Sequence, residues 1–130
     1  NLGLTDYYYP GTDYFDYSET SGSHGFEINL GYEYSGLNIS ANYMLNEAPA
    51  AGTAGGDMYF QLGYGFDQLS IFAGAGDGWH TSDGNFAVCN IGINVSREIA
   101  VTDQFSLPVS GSAILNPDTK QYYLVLGISI

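Results

Sequence analysis

Glu27 and Glu33 occupy polar positions of one alternating stretch, with Asn29 between them, so all three side chains leave the same face of a strand. Carboxylates on an enclosed face are costly unless hydrated, paired or hydrogen-bonded, and two unpaired ones would favour cations. The plainer reading is that they bond to neighbouring Tyr, Asn and Ser groups and fill an interior. Asn42 and Gln61 hold equivalent polar positions in two later stretches and complete this set.

A second group of acids lies between the alternating stretches, with Asp13, Asp16 and Glu19 in one segment and Asp77 and Asp83 in another. Oxygen-rich loops can bind calcium, which would also bridge them to lipopolysaccharide, but DGWHTSDGN lacks the spacing and terminal Glu of an EF-hand. Solvated loop charge is the expectation there. His24 and His80, with Ser21, Ser82 and nearby acids, supply the residue types of a hydrolase triad, yet no strained nucleophile turn or fixed spacing supports one. Two histidines are too few for an all-His metal site. The stretches GTAGGD and GAGDG lack the Lys-Ser/Thr ending of a phosphate loop and read as loop tips and strand glycines. Arg97 sits at an expected turn, where Glu98 or Asp103 would anchor it. No enzyme, cofactor or resident metal is expected.

The elements that position these groups are written in a period of two. Phe26, Ile28, Leu30, Tyr32 and Tyr34 alternate with Glu27, Asn29, Gly31 and Glu33. The pattern recurs over 37–45, 58–66, 69–76, 87–96, 105–113 and 122–130, and with an opening strand near 2–9 it makes about eight strands. In the stretch 87–96, Ala87, Cys89, Ile91, Ile93 and Val95 fall on the apolar side. Helix is disfavoured, since no long stretch has helical spacing and Gly recurs inside nearly every segment. Short links near 35–36 and 67–68 and a medium one over 97–103 alternate with longer ones over 10–24, 46–56, 77–85 and 116–120. Short turns on one side and long loops on the other are the habit of outer-membrane barrels, and strands of about nine to eleven residues suit a tilted crossing.

Composition narrows the setting. Charged residues are 12%, aromatics 15%, and Gly contributes 18 residues, unlike a typical water-soluble domain. With only Arg97 and Lys120 against 14 acids and a net charge of -12, nucleic acid is excluded as a partner. Lone Cys89 excludes an internal disulfide. The chain opens on Asn1, from which removal of a signal peptide, of further strands or of both is expected. Alternation alone also describes a soluble lipocalin-like barrel. A water-facing strand surface collects Lys, Glu, Thr and Arg, however, whereas this polar face holds mainly Gly, Ser, Asn and Gln, and the apolar face carries no charge from Phe26 onward. Lipid is the solvent this predicts for the apolar face, because a charge near the bilayer midplane of a barrel costs about 2 to 4 kcal/mol. Tyr7, Tyr8, Tyr9 and Trp79, with Tyr14, Phe15 and Tyr17, are expected in an interfacial aromatic girdle.

The stretches GLTDYYYPG (3–11), GGDMYFQLGYGF (55–66), GAGDGWH (74–80), SREIAVTDQFSLPVSGS (96–112) and YLVLGISI (123–130) resemble the C-terminal part of TorF-type porins, most closely those of Bacteroides-like bacteria. The likeness spans essentially the whole chain. It implies an outer-membrane barrel, of about twelve strands in the longer family members, with an N-terminal portion absent here. The end on Ile130 departs from the Phe that closes many such barrels. The expectation is therefore an all-β, antiparallel, up-and-down transmembrane β-barrel forming one domain over 1–130, non-enzymatic, in the bacterial outer membrane. It would serve as a small-solute channel or a structural component, with the lipid bilayer as its partner. The alternative is a binding or assembly module whose acidic loops or lipid-facing wall engage other outer-membrane proteins or lipopolysaccharide.

Overall fold

A computed structural model describes residues 1–102 and 104–128. Asp103, named as a partner for Arg97, and Ser129 and Ile130, at the end of the expected last strand, lie outside the described residues. The chain forms β1 (Leu2–Tyr8), β2 (His24–Tyr34), β3 (Leu37–Met44), β4 (Met58–Phe66), β5 (Leu69–Gly78), β6 (Gly84–Thr102), β7 (Phe105–Asn116) and β8 (Gln121–Ile128). The loop between β3 and β4 contains one 3-10 turn, Pro49–Ala51. All eight strands belong to one sheet, in chain order and antiparallel throughout. At the β2–β3 link Ser35 and Gly36 both have positive φ (49° and 87°), the backbone that lets a two-residue hairpin follow the twist of its strands.

The expected barrel is an open sheet. Among the described residues no ladder joins β1 to β8. Alternation fixes which face a side chain leaves by; closure depends on tilt and stagger, which no single strand encodes. The sheet nevertheless curls strongly. The rings of Tyr7, on β1, and Trp79, in the loop after β5, are 5.1 Å apart, although a flat sheet would hold β1 and β5 about 19 Å apart at the usual strand spacing.

The apolar set faces outward. Phe60, Leu62, Tyr64 and Phe66 on β4 are exposed, as are Ile39, Ile71, Ile91 and Ile93 on neighbouring strands. Among the described residues only Met44, Ala48, Ala51 and Cys89 are buried hydrophobics, and three of these lie at or in the β3–β4 loop. The chain exposes 8696 Å². A folded monomer of 14.0 kDa normally exposes about 6,700 Å². The excess lies in the exposed apolar face and the two edges of the open sheet.

Three expectations about β6 need correction. A bulge places Ala75 opposite Val88 and Gly74 opposite Asn90, so Cys89 is the extra residue. Beyond it the parity reverses: Phe86 and Val88 are exposed, Ala87 lies opposite Gly76 on the polar side, and Cys89 is buried with Sγ 3.9 Å from the Gly74 carbonyl. Residues 97–102 are strand rather than a link. Arg97 lies opposite Val109, and the pairing runs on past the charges through β-branched Ile99 and Thr102, with Val101 at a register shift between them. Arg97 leaves by the outer face in step with Val95 and Ile99, so the expectation that this face carries no charge after Phe26 fails at the turn-side end of β6; Glu98 leaves by the other face, and among the described residues Arg97 joins no ion pair.

Candidate functional site

The polar faces of β1 to β6 line the concave side, and their loop-side end holds a connected cluster. Parity puts Thr5 and Tyr7 of β1 on the face of Glu27 and Asn29, with Thr5 opposite Glu27. Glu27 is buried, and one of its oxygens accepts hydrogen bonds from the Tyr7 hydroxyl (3.1 Å) and the Asn29 amide (2.6 Å). Asn29 in turn accepts from Thr5 (2.7 Å). Trp79 meets Tyr7 edge-on and donates its indole N–H to His80 Nε2 (2.7 Å). Accepting at Nε2 makes this imidazole neutral, with its proton on Nδ1. Burial lowers the His80 pKa, against the opposing pull of Glu27, Asp57 and Asp77. Tyr59 packs on His80 (5.0 Å), donates to Gln61 (2.8 Å) and accepts from Asn90 (3.1 Å).

Glycines make room for this filling. The Tyr59 hydroxyl sits where a Cβ at Gly74 would stand, and the Phe72 ring occupies the corresponding space at Gly92. Toward the turn side the concave face is open, with a groove of about 240 Å³ lined by Glu33, Asn38, Gln61, Ser70, Phe72 and Asn94. The two glutamates are thus separated along β2 by roughly 20 Å of strand. Glu27 is plugged by hydrogen bonds; Glu33, opposite Asn38, borders the groove. Asn42 lies opposite Asn29 and Tyr59 on the same concave face.

Asp13, Asp16 and Asp83 serve their own loops, whereas Asp77, expected in a loop, is the penultimate residue of β5 and reaches the neighbouring strand. Asp13 accepts from the Phe15 amide, and Asp16 accepts from Ser18 and Ser21, whose hydrogen bonds lower its pKa. Asp83 is lowered likewise by the Asn85 side chain and amide. Asp77 accepts from the Met58 amide, and Asp118 accepts from Ser82. Glu19 is exposed in the same loop as Asp16. Among the described residues no three His, Cys, Asp or Glu side chains converge as a metal site would require. Ser21 bonds to Asp16 and Ser18, and Ser82 to Asp118, so neither serine is held by a histidine.

No family model, curated protein or solved structure matches this chain. The concave side thus carries a hydrogen-bonded cluster beside a polar groove, with no nucleophile and base aligned among the described residues.

Three placements depart from the sequence reading. Tyr7 and Trp79, expected in an outer aromatic belt, turn inward, because Tyr7 shares the parity of Thr5 and Trp79 reaches across to meet it. Tyr8 faces the other way and Tyr9 is exposed. His24 opens β2 rather than lying in a loop. It is buried on the outer face, stacked between Tyr8 (5.1 Å) and Tyr17 (4.6 Å), with Tyr14 edge-on. Its Nδ1 meets the Asp6 carboxylate at 2.9 Å and its Nε2 the Tyr14 carbonyl at 2.6 Å. Asp6 was not singled out by its type, yet the signal was present: it is the one charge in the series Leu2, Leu4, Asp6, Tyr8.

Proposed function

We propose that the chain is a non-enzymatic β-barrel protein of the bacterial outer membrane, acting as a structural component whose polar interior is plugged at the loop end. The observation that carries this reading is the inverted arrangement of faces. Exposed Leu, Ile, Phe and Tyr side chains cover the outside of β2 to β6, while Glu27, Asn29, Asn42, Tyr59, Gln61 and Asn90 bond to one another or line the concave side. Such a molecule in water would expose apolar area well beyond the few hundred Å² usual for a soluble monomer. In a bilayer the same surface is matched to its solvent. The sequence likeness to TorF-type porins points to the same compartment.

The channel reading draws on the groove bordered by Glu33, which would favour cations. The Trp79–His80–Tyr7 cluster stands against free passage. Planar-bilayer recording of the full-length protein separates the two: the plugged reading predicts a silent membrane for the native chain and measurable conductance for Trp79→Ala. Steady conductance from the native chain would favour the channel. A monodisperse monomer in detergent-free buffer would overturn the membrane reading itself.

A further inference from the structure

We infer that the β6–β7 hairpin is a docking site for another protein, and that its open β6 edge takes a basic extended segment as an added strand. β6 runs over Gly84–Thr102, but on the turn side its ladder with β5 ends at Leu69 opposite Val95, followed by one bond from the Ser96 amide to the Gln68 carbonyl (2.9 Å). Pairing with β7 goes on for five more residue pairs, to Thr102 opposite Phe105. At the usual rise the hairpin therefore stands about 17 Å beyond the β4–β5 turn.

Backbone parity shows which edge is open. Because Ser96 bonds toward β5, Glu98 and Ala100 turn their N–H and C=O groups to the same side, where β5 has ended. Among the described residues no backbone bond reaches them there, and a cleft of about 630 Å³ bordered by Gln68, Ser96, Arg97 and Glu98 opens beside this edge. The opposite edge is blunted. By the same count Val109 bonds toward β6, so the ring nitrogen of Pro108 points outward and offers no donor to a further strand. Proline on an exposed edge is a common guard against stray pairing; the β6 edge has none over 97–102.

Charge selects the occupant. Glu98 leaves by the inner face, while Ile99 and Phe105 leave by the outer face and are exposed. A second copy fits poorly: it carries the same net charge of -12, with only Arg97 and Lys120 as cations, and an antiparallel pairing centred on Glu98 would set two Glu98 carboxylates opposite each other. A strand with Lys or Arg at the position facing Glu98, and a β-branched residue beside Ile99, satisfies the edge amides, the carboxylate and the apolar side chains together. The inference goes beyond the membrane reading and does not rest on it, since this edge is bare whichever solvent meets the outer face of the sheet.

The test is fluorescence anisotropy of a labelled peptide alternating valine and lysine, titrated with the full-length protein in detergent at physiological salt. The native protein should bind it, and should bind the matching valine and glutamate peptide about fivefold more weakly. Ala100→Pro removes a donor from the open edge and spares the bonds to β7, which come from the alternate residues; it should weaken binding by about tenfold. Glu98→Lys should reverse the preference between the two peptides, and it serves if Ala100→Pro fails to fold. No binding by the folded native protein, binding undiminished in a folded Ala100→Pro variant, or a preference unchanged by Glu98→Lys overturns the inference. Whether the protein needs detergent to stay monodisperse tests the membrane reading separately, and the titration reads the same in either medium.

Discussion

Asp6 and His24 are the polar exceptions on the loop-side end of an apolar face, and each answers the other. A neutral imidazole has one N–H, yet both ring nitrogens of His24 meet acceptors, so the folded arrangement is that of an imidazolium. The Tyr14 carbonyl and the Asp6 carboxylate each meet one ring nitrogen, so both contacts are hydrogen bonds only while the ring keeps both protons. Loss of the second proton as pH rises through and above the ordinary imidazole range, about 6.5, removes one of them, so the latch holds on the acid side and loosens on the alkaline side. Limited proteolysis across that range should show the loop over residues 9–23 protected at acid pH and cut more readily at alkaline pH. His24→Gln should abolish the pH dependence; a flat profile in the native chain would contradict the latch. This pair was only half legible in the sequence. His24 was visible as a residue type, but its partner is set by the β1–β2 register, which places Tyr8 opposite His24 and Asp6 two residue pairs away, opposite Phe26 on the same face. The parity of neighbouring tyrosines was equally hidden, since three in a row fit a girdle or an interior until register decides.

At the level of elements the alternating pattern was the legible part, because burying one face of a strand imposes a period of two on its sequence. It gave the eight strands and the outward placement of Phe60, Leu62 and Leu30. It failed where two adjacent residues are both apolar. Val88 and Cys89 permit either parity, and the bulge that resolves them comes from the pairing with Gly74 and Ala75. It failed again at Arg97 and Glu98, where adjacent charges read as a turn although the β-branched residues beyond them continue the strand. Two substitutions test the faces of single strands. Leu62→Arg, at an exposed outer position of β4, should cost about 2 to 4 kcal/mol in urea unfolding from vesicles if that face meets lipid; a neutral effect would speak for water. Gly92→Val would drive a side chain into the Phe72 ring, and overpacking of this kind costs about 1 to 3 kcal/mol. Paired with Phe72→Ala, most of that loss should be recovered.

For the molecule as a whole, the excess of exposed area and the inversion of its faces have one physical source. A chain with so few charged residues cannot cover a water-facing shell, whereas Gly, Ser and Asn can line a narrow interior where side chains and glycine gaps interlock. Composition made that much readable from the sequence; curl, stagger and the loop-end plug emerge only from the summed registers of all the strands. The central claim is that the apolar face of the sheet meets lipid while the polar face is enclosed. Spin labels placed singly at Leu62→Cys and Gln61→Cys, in a Cys89→Ala chain reconstituted into vesicles, test it directly by collision with oxygen and with a water-soluble nickel complex. The account predicts high oxygen and low nickel accessibility at position 62 and low oxygen accessibility at position 61. Equal nickel accessibility at both positions, or the reverse pattern, would contradict it.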